Sequence, residues 1–145
     1  MASTKRHTIN AAVYLLPTRD DEVLLLRRFN TGWMDGHYSL IAGHLDGNES
    51  VSAAMIREAK EEARITVKPE DLQPVTVLHR KSDREYVDFF FVTTKWEGDP
   101  VIGEPDKCDD LSWFPLNKLP DNLLPYVREA MKNYKKKISF SESGW

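Results

Sequence analysis

Three glutamates, Glu58, Glu61 and Glu62, stand at i, i+3 and i+4 inside Ser50 to Arg64, a segment with no Gly or Pro and rich in Ala, Glu, Lys and Arg. That composition predicts a helix, and the spacing sets the three carboxylates on one side within about one turn. Like charges so placed destabilise an isolated helix, whereas a solvated face would alternate its signs. Something positive is expected to neutralise them, and a hard divalent cation with oxygen ligands is the natural candidate. An exposed helix with surplus acid is the competing account, because charge runs usually mark solvated faces. On the same wheel Met55, Ile56, Ala59 and Ala63 form the adjoining core face, and Asn48 or Ser50 stands where a cap is needed.

The loop ahead of the helix decides between the two accounts. Gly43-x5-Glu49-x7-Arg57-Glu58-Ala59-Lys60-Glu61-Glu62 resembles the signature of the Nudix hydrolases. The resemblance implies an α+β fold, the Nudix-type α/β/α sandwich with a mixed β-sheet, and hydrolysis of a nucleoside diphosphate linked to another group. It implies Mg2+ as cofactor, with Mn2+ as a substitute, held by Glu58, Glu61 and Glu62. The Gly43 carbonyl is a further candidate ligand, since glycine lets backbone approach an ion closely. Arg57 and Glu49 are expected to pair and so orient the glutamates. The general base stays open among Glu58, Glu61 and Glu104, the last in a loop where several relatives place an extra metal-binding or basic glutamate; a plain surface acid is the other account of it.

Two positions depart from the family pattern. Arg64 stands where the family has a glycine that ends the helix left-handed, so either Arg64 costs about 1 kcal/mol there or the helix ends differently. Ala42-Gly43 replaces a common Gly-Gly. Neither change removes a candidate ligand. Trp96-x-Gly98-x-Pro100, Glu104-Pro105-x-Lys107-Cys108, Trp113-Phe114-Pro115 and Ser143-Gly144-Trp145 look like one bacterial-type subgroup of small Nudix proteins.

A substrate base must also be held. Trp33, Tyr38, His79, Arg80 and Asp88 are candidates for stacking or hydrogen bonding, Asp88 because it interrupts an apolar strand; core packing and a solvated turn are the plain alternatives. Phe89-Phe90-Phe91 reads as sheet core, Lys135-Lys136-Lys137 as an exposed helix end, and Cys108 as structural rather than nucleophilic.

Around these residues the expected elements are strands over His7 to Leu16, ending at Pro17, and Val23 to Leu26, joined as a hairpin by a Thr18 to Asp21 turn. A loop over Asn30 to His37, a strand over Tyr38 to Ala42 and a polar loop over Gly43 to Asn48 lead to the helix. Pro69 and Pro74 bracket a break. Strands follow over Val75 to His79, Tyr86 to Thr94 and Leu111 to Phe114, then a second helix over Leu123 to Lys137. A mixed α/β/α layering fits this order better than a doubly wound parallel sheet.

With 145 residues, 41% hydrophobic, the chain is long enough for one packed domain, residues 1–145. A net charge of −3 supplies no basic field for a nucleic-acid backbone, so no stable nucleic-acid partner is expected. No apolar run reaches the roughly 20 residues of a membrane span, and the first residues resemble no signal peptide. One cysteine excludes an internal disulfide. A cytoplasmic monomer or homodimer acting on a small-molecule nucleotide is expected. The leading reading is a pyrophosphohydrolase releasing a nucleoside monophosphate from a nucleoside di- or triphosphate. A nucleotide-sugar, ADP-ribose or dinucleoside polyphosphate hydrolase is the alternative, and a silent nucleotide-sensing module is a third; the intact glutamates oppose the last.

Overall fold

The computed structural model describes residues 5–145. At its centre is β1 (Asn10–Arg19), whose residues alternate between two apolar faces. Ala12, Tyr14 and Leu16 pack with one core cluster, and Val13 and Leu15 with the other. A strand buried on both faces reads as a continuous apolar run rather than an alternating one, which is why Ala11 to Leu16 carries no polar residue.

One edge of β1 runs parallel to β6 (Glu85–Thr93), from Asn10 opposite Tyr86 to Pro17 opposite Thr93. The other edge is shared. Ala12 to Leu15 pair antiparallel with β4 (Ile41–His44), and Thr18 and Arg19 with β2 (Glu22–Arg28). Pro17 therefore does not end the strand. Its missing N–H falls in the gap between the two outer ladders, where it interrupts neither. β2 also pairs with β3 (Tyr38–Ser39) and β7 (Cys108–Pro115), while β6 pairs with β5 (Gln73–Lys81), and β5 in parallel with β8 (Phe140–Ser143).

Helix α1 (Val51–Ala63) covers one face of this mixed sheet and α2 (Pro125–Lys136) the other. The result is the expected α/β/α sandwich. Val23 and Leu25 of β2 face α2, and Leu24 and Leu26 face α1; β6 divides Phe90 and Val92 from Phe91 in the same way. Phe90 and Phe91 are thus core, as expected of that triplet.

Several boundaries differ from expectation. Tyr38 to Ala42 is two strands, because the chain changes partner at Leu40 from β2 to β1, and Gly43 and His44 belong to β4 rather than to a loop. Pro74 lies inside β5 at a register shift, and Pro69 starts a 3-10 turn, Pro69–Asp71. β8 is an additional short edge strand with alternating exposure and no apolar run to mark it. No helix among the described residues is long and apolar enough to cross a membrane.

Candidate active site

Helix α1 starts at Ser50, whose Oγ accepts the Ala53 N–H at 3.1 Å; Ser50, not Asn48, is the cap. Ala54, Met55, Ala59 and Ala63 are buried against the sheet, with Ile56 half-buried beside them. Small residues at 59 and 63 let the helix lie close to the strands, and that packing fixes its rotation. Glu58, Glu61 and Glu62 are thereby turned into a cleft of about 430 Å3, which Glu104 also lines.

Glu104 reaches this cleft because its segment is docked on the end of α1. The Val101 and Gly103 N–H groups donate to the Ala63 and Glu62 carbonyls at 3.1 and 2.9 Å. These carbonyls lack partners within the helix. Gly103 is required there: a Cβ would stand 2.0 Å from the Glu61 carbonyl oxygen. Arg64 ends the helix in the left-handed region, at φ 57° and ψ 27°, with its N–H directed to the Ala59 and Lys60 carbonyls. The helix thus keeps the terminus that the family's glycine would make, built with an arginine.

Arg57 links the preceding loop to the carboxylates. Its Nε and one terminal nitrogen donate to both oxygens of Glu49, at 3.2 and 2.8 Å, and the other nitrogen donates to Glu58 at 2.9 Å. Hydrogen bonding to Glu49 holds the Arg57 pKa above its ordinary value, and the same contact holds Glu49 below the usual carboxylate range. The expected Arg57–Glu49 pair is therefore present. The Glu58 carboxyl lies directly on Gly43: a Cβ built there would meet its carboxyl carbon at 2.1 Å.

Glu62 accepts the Ala42 N–H at 2.7 Å, yet burial pushes its pKa up to about 8, with Glu58 and Glu104 adding repulsion. Burial raises Glu58 as well, against the pull of Arg57. Oxygen-only donors, crowded and partly desolvated, form a donor set that suits a hard divalent cation. Among the described residues no three acidic, His or Cys side chains already close on a common point. Two reasons are visible: Glu58 is held by Arg57 and Glu62 by Ala42.

A second cavity of about 420 Å3 shares Leu26, Arg28, Ala42 and Glu62 with the first, so the two adjoin as halves of one cleft region. Tyr14, Trp33, Arg80, Tyr86 and Tyr126 line it. Trp33 is placed by its loop, in which Asp35 accepts the Thr31 and Gly32 N–H groups. Arg28 ties the loop to β2 by donating to the Trp33 carbonyl and the Thr31 hydroxyl, each at 2.8 Å.

Of the residues singled out for base contact, Trp33 and Arg80 line this cavity. Tyr38 does not: it is buried edge-on against Phe114, its hydroxyl bonded to Asp110, so core packing accounts for it. Asp88 is fully buried and does not open into the cleft; it lies behind Arg80. His79 is covered by Trp145, which donates to its carbonyl at 3.0 Å. Cys108 edges the acidic cavity, but burial raises its thiol pKa, as suits a structural residue. Sequence reasoning missed Tyr14, Arg28, Tyr86 and Tyr126. Tyr14 and Tyr126 are 112 residues apart, and no local spacing connects them.

Residues 6–137 match the model of the NUDIX domain, and the chain belongs to the Nudix family. It is 26% identical over 126 residues to the NAD-capped RNA hydrolase NudC of Stutzerimonas stutzeri, covering 87% of this chain and 42% of that protein. The chain thus spans about two fifths of the length of the curated relatives it matches. Among solved structures, the MutT NUDIX hydrolase of Burkholderia pseudomallei superposes with a TM-score of 0.81 at 25% identity, covering 88% of this chain and 98% of that one. A NUDIX hydrolase from Nitrosomonas europaea gives 0.78 at 19% identity, over 96% and 80%. Hydrolases of this family generally use divalent metal cations.

Proposed function

We propose that the chain is a Mg2+-dependent Nudix hydrolase that cleaves the diphosphate linkage of a nucleoside di- or triphosphate and releases a nucleoside monophosphate. The observation that carries this reading is the adjacency of two cavities: a carboxylate-lined half and an aromatic half share Arg28, Ala42 and Glu62. A nucleotide has the same two-part chemistry, with an anionic diphosphate at one end and a flat base at the other.

Glu58, Glu61 and Glu62, with the Gly43 carbonyl, are the groups that would hold the cation. A bound Mg2+ would shield the diphosphate oxygens and acidify the attacking water. Arg57 orients Glu58 through its bond to that carboxylate. Glu104, Glu58 and Glu61 are the candidates to take the water's proton, a role that their common lining of the acidic cavity supports. Arg28, which lines both cavities, is our candidate to meet phosphate oxygen, and Trp33, which lines the aromatic one, to cover the base.

Likeness to NAD-capped RNA hydrolases favours a second reading, in which the diphosphate joins two nucleosides. A substrate panel of nucleoside triphosphates, nucleoside diphosphates, ADP-ribose and NAD, with Mg2+ and product identification, separates the two. Glu61→Gln should lower turnover at least about a hundredfold on the preferred substrate, as loss of a charged group supporting the transition state predicts. Near wild-type turnover in that variant at saturating Mg2+ refutes the metal role. A silent sensing module would bind nucleotides and release no product.

A further inference from the structure

Arg80 is the one guanidinium in the aromatic half of the cleft whose two faces are both covered. Tyr86 lies 4.2 Å and Tyr126 4.0 Å from its central carbon. No base can stack on it. Its Nε and one terminal nitrogen are taken by Asp88, at 2.7 and 3.3 Å, which is the side-on bidentate pairing. Asp88 is fully buried and also accepts the Tyr14 hydroxyl at 3.2 Å, so this pairing is locked from behind.

Three N–H groups of Arg80 remain, and two of them lie parallel on the end-on edge of the guanidinium, in a fixed fork. Those donors have no hydrogen-bond partner among the described residues, and Arg80 lines the cavity. Asp88 neutralises its charge at close range, so this edge is a poor trap for a second anion. It is suited to two neighbouring neutral acceptors in one plane.

Resting on the nucleotide-hydrolase reading above, we infer that Arg80, clamped by Asp88, Tyr86 and Tyr126, selects nucleobases that present two adjacent acceptors on one edge. Guanine and hypoxanthine do so with O6 and N7, and cytosine with O2 and N3. Adenine places its N6 donor beside N7, and uracil an N–H beside each carbonyl, so each sets a donor against the fork. The same fork-to-guanine match is the commonest specific arginine contact to bases in nucleic-acid recognition.

Substitution of Arg80 leaves Asp88 buried and unpaired, which threatens the fold, so the test varies the base. With Mg2+, kcat/KM for GTP, ITP or CTP should exceed that for ATP and UTP by about tenfold or more. If a purine is preferred, 7-deaza-GTP, which lacks only the N7 acceptor, should fall severalfold below GTP; if cytosine is, CTP alone leads. Equilibrium binding of GMP, IMP, CMP, AMP and UMP reads the same preference without turnover. Selective binding with no hydrolysis of any nucleotide keeps the inference and removes the enzymatic reading. Hydrolysis of ATP or UTP as efficient as that of GTP and CTP, or a guanine preference indifferent to N7, overturns the inference while the enzymatic reading stands.

Discussion

The carboxyl group of Glu58 occupies the space that a side chain on Gly43 would need, with 2.1 Å between the Glu58 carboxyl carbon and a Cβ built at Gly43. The conflict is with the far end of a flexible side chain, so Gly43→Ala is expected to fold with little loss of stability while swinging Glu58 away. Turnover should fall about tenfold or more, because small misplacements of a reacting group are costly. The measurements are a thermal melt beside kcat with Mg2+. A variant with unaltered kcat would show that Glu58 has no need of its present position.

Glu104 owes its place to the Val101 and Gly103 bonds to the end of α1. Glu104→Gln should lower kcat about tenfold or more and leave nucleotide affinity within a fewfold, as expected for a group that acts on the attacking water or its ion rather than on the base. Separate determination of kcat and of nucleotide Kd checks this. Wild-type kcat returns the general base to Glu58 or Glu61.

Arg64 sits at φ 57°, where a glycine carries no steric cost. Arg64→Gly is expected to raise stability by up to about 1 kcal/mol, reduced by the greater freedom glycine gives the unfolded chain. The side chain's bond to the Gly103 carbonyl is long, at 3.4 Å, so little is lost with it. Denaturant unfolding gives the sign; activity should stay within a fewfold.

The metal-free protein should lose stability as pH rises. Burial holds the Glu62 pKa near 8, against an ordinary 4.5. Between those values the folded state binds more protons than the unfolded one, so the slope of stability with pH is negative, with a ceiling of about 1.4 kcal/mol per unit. Below about pH 4.5 the contribution is constant, and above about pH 8 the full penalty applies. Glu58, raised in the same direction, adds to the effect. Melts in chelator from about pH 5 to pH 8 should show a falling midpoint, and Glu62→Gln should flatten it. Mg2+ binding at neutral pH should release protons to the buffer, which calorimetry in buffers of different ionisation enthalpy detects.

Helix α1, its core face and its three glutamates were legible from residue order, because i, i+3 and i+4 neighbours on a helix are set by local geometry alone. The strands of the sheet's centre were legible too, since burial on both faces demands unbroken apolar runs. Position within the cleft was not. Tyr38 and Asp88 are polar residues in apolar surroundings, a pattern shared by core and site, and their burial followed from what β7 and Arg80 bring against them. Tyr14 and Tyr126 meet only because β1 and α2 pack together. The Arg80 clamp assembles four side chains from two strands and a helix, and β8 depends on an edge that β5 offers. These features rest on contacts between segments far apart in the chain, and no periodicity in the sequence encodes which distant partner a side chain will meet.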